Sequence, residues 1–136
     1  MRAHTSDGIE LEVEIFDGEG PPILLIMGLG GQMLLWPDTF CEQLAEAGHR
    51  VIRYDNRDVG LSSRLDHLGV PTIPGLLGRF VTRRAFTPEY TLSDMARDAT
   101  VVLDTLEIER ACVVGASMGG MIGQRMAIEH RDRMTS

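Results

Sequence analysis

The chain has 136 residues, the size of one domain rather than two. It carries 13 Lys+Arg against 20 Asp+Glu, a formal charge of −7, which argues against a nucleic-acid-binding domain, since that needs a basic face. Hydrophobic residues at 43% supply enough aliphatic side chains to bury a core, which excludes a disordered chain.

Strands and helices alternate along the sequence. Ile9 to Phe16 alternates apolar and mostly acidic residues, the pattern of a strand with one wet face. Asp7-Gly8 before it predicts a hairpin with a short strand at about Arg2 to Ser6. Pro21-Pro22 breaks the chain, and Ile23 to Met27 then reads as a parallel strand covered on both faces. A Gly-rich turn, Gly28-Leu29-Gly30-Gly31, follows. Pro37 fits the first turn of a helix reaching about Ala47, with Gly48 as its stop. Arg50 to Asp55 is the next strand, and Asn56 to Tyr90 is a long irregular stretch. Thr91 and Asp94 form a capping box, opening a helix with Leu92, Met95, Ala99, Val102, Leu103 and Leu106 on one face. Ala111 to Val114 is a short apolar strand, and a last helix runs to about His130. The succession β-β-β-α-β-α-β-α predicts an α/β fold, a mostly parallel sheet with helices on both faces. Ligands on such sheets bind at the carboxyl ends of the strands, where the turns at Gly28, Asn56 and Gly115 emerge.

The sharpest motif is Gly115-Ala116-Ser117-Met118-Gly119, a G-x-S-x-G between an apolar strand and a helix. A serine on so tight a turn has strained dihedrals and a projecting hydroxyl. Side chains at 115 and 119 would collide there, so both are glycine. The helix start aims N–H groups at developing negative charge, with Met118 N–H as one oxyanion donor. Gly120 and Gly123 would let the helix pack close to the sheet. A second donor must come from the turn after a neighbouring strand, and Leu29, between Gly28 and Gly30, is placed to supply it.

The hairpin, the strand into Met27-Gly28-Leu29-Gly30-Gly31, the segment Arg53-Tyr54-Asp55-Asn56-Arg57-Asp58-Val59-Gly60-Leu61-Ser62 and the Gly115 to Gly120 elbow come in the order of the α/β-hydrolase family. The chain resembles the N-terminal half of such a hydrolase. With Trp36-Pro37-Asp38 after the first turn, it is similar to the aclacinomycin methylesterase-like branch. Two positions depart from the pattern: the family commonly has His-Gly where this chain has Met27-Gly28, and many members have Gly where it has Asp58. The resemblance implies a serine hydrolase acting on a small-molecule carboxylic ester. Ser117 would attack the carbonyl, Leu29 and Met118 N–H would hold the oxyanion, and a histidine oriented by an acid would take the proton.

In the family the acid and the histidine follow the serine, whereas this chain reaches Ser136 soon after Ser117. His130, at the far end of the last helix, is expected about 15–20 Å from Ser117. His49 falls at the amino end of the sheet, and His67 lacks an evident orienting partner. Residues 1–136 therefore read as one piece of a single domain, truncated after the elbow helix and lacking the last strands, the acid, the histidine and a cap. The Ala111 to Val114 strand is then expected at an open, association-prone edge. A second reading is a non-catalytic, hydrolase-like binding domain or a degenerate fragment.

Asp55 with Gly28-Leu29-Gly30 does not make a dinucleotide fingerprint, because Met33 stands where the third glycine belongs. Asp55 and Arg57 read as structural, hydrogen-bonding the turn. Residues 68–81 are equally an acyl pocket or a packed loop, and Arg79, Arg83 and Arg84 a solvated face. Cys41 and Cys112 look like packing residues; two cysteines make no disulfide framework, which points to a reducing, cytoplasmic setting. Met1 to Asp7 has no apolar signal core, and no apolar run approaches the roughly 18–20 residues of a membrane span. No cluster has metal-ligand spacing and no cofactor motif occurs, so neither a metal nor a cofactor is expected.

Overall fold

A computed structural model describes residues 1–65 and 90–136. Five strands form one sheet: β1 (Arg2–His4), β2 (Glu10–Phe16), β3 (Pro22–Ile26), β4 (Arg50–Tyr54) and β5 (Cys112–Gly115). Their order is β1-β2-β4-β3-β5, with β1/β2 and β2/β4 antiparallel and β3/β4 and β3/β5 parallel. Among the described residues, three α-helices pack on it: α1 (Asp38–Glu46), α2 (Leu92–Thr105) and α3 (Met118–Glu129).

The continuous apolar run of β3 has a direct structural reason. Ile23 and Leu25 point to one face, where Cys41 of α1 and Val51 of β4 complete a small core. Leu24 and Ile26 point to the other, against a larger core that includes Met95, Ala99 and Val102 of α2 and Ile122 and Met126 of α3. Each large side chain buried this way is worth about 1.5–3 kcal/mol. The acidic residues of β2 serve different ends. Glu10 and Glu12 pair with Arg2 of β1, whereas Glu14 is part of the shell around Arg53. Arg53 is 2% exposed, and its charge is met by Glu14, Asp38 and the Trp36 carbonyl, with the Phe16 ring 5.0 Å away.

Element ends shift slightly from the sequence reading. Pro37 is the N-cap of α1 rather than part of its first turn, and a 3-10 turn over Met33–Leu35 precedes it. Gly48 follows the helix with φ +98°, a backbone state that suits glycine. The capping box is present as expected: Thr91 Oγ1 accepts from Asp94 N, and Asp94 Oδ2 accepts from Thr91 N at 2.8 Å.

The expected open edge at β5 is half covered. Thr135 N donates to Ala111 O (2.9 Å), Ala111 N to Arg133 O (3.1 Å) and Val113 N to Ser136 O (2.9 Å). These bonds, with the parallel bridge Ala111–Met134, lay residues 134–136 alongside β5. Arg133 holds the segment down, donating to the Ile108 and Glu109 carbonyls and pairing with Asp104 at 2.7 Å. The uncovered remainder is Val114 and Gly115, both exposed.

Candidate active site

The turn between β5 and α3 is built by close backbone contacts. Ala116 N donates to Ile26 O at 3.0 Å, so the turn hangs on the end of β3. Gly119 N donates to Ala116 O (2.8 Å) and Gly120 N to Ser117 O (2.9 Å), closing it tightly. Ser117 sits at its apex with φ 54° and ψ −122°. An L-residue held there stores about 1–3 kcal/mol of strain, which the surrounding packing must hold in place.

Two of the glycines are sterically required. A methyl on Gly115 would meet Gly120 N at 2.5 Å and the Gly119 carbonyl group closer still. A methyl on Gly119 would lie 2.7 Å from the carbonyl carbon of Ile26 and 3.0 Å from Met27 O, so this glycine faces β3 rather than Gly115. The close approach of helix to sheet therefore belongs to Gly119. At Gly120 and Gly123 a methyl would make only ordinary 3.4 Å contacts, with Gly115 O and Val113 Cγ1.

The turn after β3 abuts this elbow. A methyl on Gly28 would come within 3.0 Å of both Ala116 O and Ser117 Cβ, and within 3.5 Å of Met118 N. Gly31 N donates to Gly28 O at 3.1 Å, and Gly30 has φ +65°. In a planar trans peptide the N–H points opposite to the C=O. Fixing Gly28 O therefore turns the Leu29 N–H away from Gly31, while the Leu29 side chain stands 82% exposed. Met118 is the first residue of α3, so its N–H has no intrahelical acceptor.

The turn after β4 braces the other two. Asp55, 2% exposed, accepts from Met33 N (2.7 Å) on one oxygen and from Leu61 N (2.9 Å) on the other. Its carboxylate is thus committed to the protein's own backbone, in keeping with a structural role. Gly60 passes so close that a methyl would meet Asp55 Oδ1 at 2.8 Å. Asn56 Nδ2 donates to Met27 O at 2.8 Å. Asp58 has φ 64°, a left-handed state that Asp tolerates better than most side chains. Arg57 reaches back to α2 and forms a two-pronged pair with Asp98 at 2.6 and 2.7 Å, with Asp7 at 3.2 Å and the Tyr90 ring 5.5 Å away. The hydrogen bonds it donates to Asp98 hold the guanidinium charged, above its ordinary range. Burial pushes the Asp98 carboxyl up, against the opposing pull of Arg57. This pair was not legible in the sequence, because Asp98 falls among ordinary helix residues.

None of the described histidines lies at the elbow. His130 caps the far end of α3, His49 Nδ1 is 3.3 Å from Pro21 O, and His4 on β1 is 3.8 Å from Glu10. His67, the segment 68–81 and the cluster Arg79, Arg83 and Arg84 lie outside the described residues. Ser117 Oγ makes no hydrogen bond among the described residues. Cys41 is buried and Cys112 half-buried, and both are free thiols. Among the described residues no group of three His, Cys, Asp or Glu side chains is arranged to hold a metal. No helix of the described residues is long and apolar enough to cross a membrane.

Comparison with known proteins agrees with this geometry. The sequence pattern of the alpha/beta hydrolase fold matches residues 21–136. Rhodomycin D methylesterase DauP of Streptomyces sp. (strain C5) is 40% identical over 134 residues, covering 98% of this chain and 39% of that protein. A putative carbamate hydrolase RutD of Variovorax paradoxus (strain S110) is 33% identical over 118 residues, 87% of this chain and 36% of that one. Among solved structures, a hydrolase from Pseudomonas aeruginosa PA01 superposes with a TM-score of 0.75 at 30% identity, over 98% of this chain and 42% of that chain. An enol-lactonase from Burkholderia xenovorans LB400 gives 0.73 at 30% identity, over 98% of this chain and 44% of that chain. The chain thus spans about 40% of the length of the relatives it matches, the region from the first hairpin to the elbow helix. On the strength of its sheet order, its elbow and these matches, the chain belongs to the α/β-hydrolase fold family.

Proposed function

We propose that the protein carrying this chain is a serine hydrolase of small-molecule carboxylic esters, with Ser117 as nucleophile and the Leu29 and Met118 N–H groups as oxyanion donors. One observation carries the reading. Ser117 is a non-glycine residue held at φ 54° at the head of α3, with the Gly28 turn packed against its Cβ. Strain kept at such a point is a mark of function rather than of folding. The 40% identity to a methylesterase favours an ester over a carbamate.

The reaction runs in two halves. Ser117 Oγ adds to the ester carbonyl carbon as its proton passes to an imidazole. The carbonyl oxygen becomes an oxyanion held by the two N–H groups. The tetrahedral adduct collapses, and the alcohol leaves with the proton from the imidazolium. Water then repeats the sequence on the acyl-serine and releases the acid. A preorganised donor of this kind contributes about 2.7–4 kcal/mol to the barrier reduction. In this reading the imidazole and its carboxylate partner come from sequence outside residues 1–136, so these residues alone are inactive. The two free cysteines fit a reducing, cytoplasmic setting.

The test is labelling of the full gene product with a fluorophosphonate, followed by peptide mapping. The modified serine is expected to be Ser117, and Ser117→Ala is expected to abolish labelling and ester hydrolysis together. Labelling that persists in Ser117→Ala, or a folded protein whose Ser117 stays unmodified, overturns the proposal.

A further inference from the structure

We infer that Asn56 is a positioning residue for this reaction: it orients the turn that bears the Leu29 N–H, an inference that rests on the reading of Ser117 and Leu29 above. Asn56 is 1% exposed at the carboxyl end of β4, and its Nδ2 donates to Met27 O at 2.8 Å. A carbonyl only accepts, so the amide nitrogen must be the atom that faces it. The same carbonyl borders the elbow, where a methyl on Gly119 would reach it at 3.0 Å.

The consequence follows from peptide planarity. Met27 O lies in the plane of the Met27–Gly28 peptide, and Gly28 O lies in the plane of the Gly28–Leu29 peptide. Between the two planes stands Gly28, a residue with no side chain to limit its φ and ψ. Asn56 fixes the first plane and Gly31 N fixes the second, by a 3.1 Å bond to Gly28 O. Both anchors together set the direction of the Leu29 N–H; with one removed, rotation at Gly28 can swing it.

Asn56 is itself held on both sides, which makes it a rigid anchor. Asp55 before it is bonded to Met33 N and Leu61 N, and Asn56 O accepts from Val59 N at 3.1 Å. Arg57 after it is clamped to Asp98.

The experiment compares Asn56→Ala and Asn56→Asp with the parent and with Ser117→Ala in the full gene product. The readouts are hydrolysis of p-nitrophenyl butyrate, with kcat and KM separated, and thermal melts. An oxyanion contact acts only in the transition state, so kcat should fall about 10- to 100-fold with KM nearly unchanged. Asn56→Asp, which keeps the shape but loses the donor when ionised, should fall at least as far as Asn56→Ala. If kcat stays within about two-fold of the parent while only the melt moves, Asn56 is a structural pin and the inference fails. It fails equally if KM carries the loss, or if neither variant melts cooperatively, because Asn56 then belongs to the folding core. If Ser117→Ala retains hydrolysis, the reading of Ser117 has failed first, and the two failures are told apart.

Discussion

Replacing Asp98 with alanine strands a buried charge. Arg57 and Asp98 have side chains 6% and 3% exposed, and their two short hydrogen bonds are the main compensation for the desolvated guanidinium. Asp7 remains after the change, but at 3.2 Å and 53% exposed it offers a solvated partner. Breaking a buried pair from one side costs about 3–5 kcal/mol. A domain of the relatives' size loses about 2–4 °C of Tm per kcal/mol, so Asp98→Ala in the full gene product should melt about 6–20 °C below the parent. The double change Arg57→Met with Asp98→Leu removes both charges and should recover most of that loss, because burial already works against the Asp98 carboxylate. Calorimetry of the parent, Arg57→Met, Asp98→Leu and the double variant closes the cycle, and a coupling above about 1 kcal/mol is expected. An Asp98→Ala melt within about 3 °C of the parent would falsify the argument, because the guanidinium would then be solvated without its partner.

Two further substitutions probe the elbow and the capping box. Gly119→Ala forces a methyl against the Ile26 and Met27 carbonyls, so it should lower stability by about 3 kcal/mol or more and slow fluorophosphonate labelling of Ser117; an unchanged melt would mean that the elbow can open without cost. Asp94→Ala removes half of the box that starts α2 and should cost about 1 kcal/mol at pH 7. The hydrogen bond from the Thr91 hydroxyl, and then that from the Thr91 backbone, hold the Asp94 carboxyl below its usual range. A depressed acid gives stability that is fully present above the unfolded value and is lost as pH falls through the folded one. The gap between parent and variant should therefore close on acidification below about pH 4, and a gap constant down to pH 2 would contradict the assignment.

The most legible parts of the fold were those whose physics is local. The alternation of Ile9 to Phe16, the double apolar face of β3 and the Thr91–Asp94 box each need only a few neighbouring residues, and each appears where the sequence places it. The same holds for the elbow, since G-x-S-x-G reflects contacts within one turn. What escaped notice depends on residues distant in sequence. Asn56 meets Met27 across 29 positions and Arg57 meets Asp98 across 41, and neither partner announces itself. The pairing of residues 134–136 with Ala111 and Val113 was equally hidden, because Met134-Thr135-Ser136 is too short to show an alternation. The role of Gly119 against Ile26 was visible only as a need for glycine, not as the identity of the neighbour.

The sheet order has a consequence for how the turn at Ser117 forms. β3 pairs with β5 across about 90 residues of chain, the longest loop closure in the sheet, and such contacts are entropically costly and slow to form. The hydrogen bond from Ala116 to Ile26 and the contact of Gly119 with the same carbonyl exist only after that closure. The left-handed backbone of Ser117 is closed locally by the Gly119 and Gly120 N–H bonds, but its anchor to β3 must wait for that closure. If Ser117 is the nucleophile proposed above, nascent or misfolded chains would carry it relaxed and unreactive, and its labelling would report completion of the sheet.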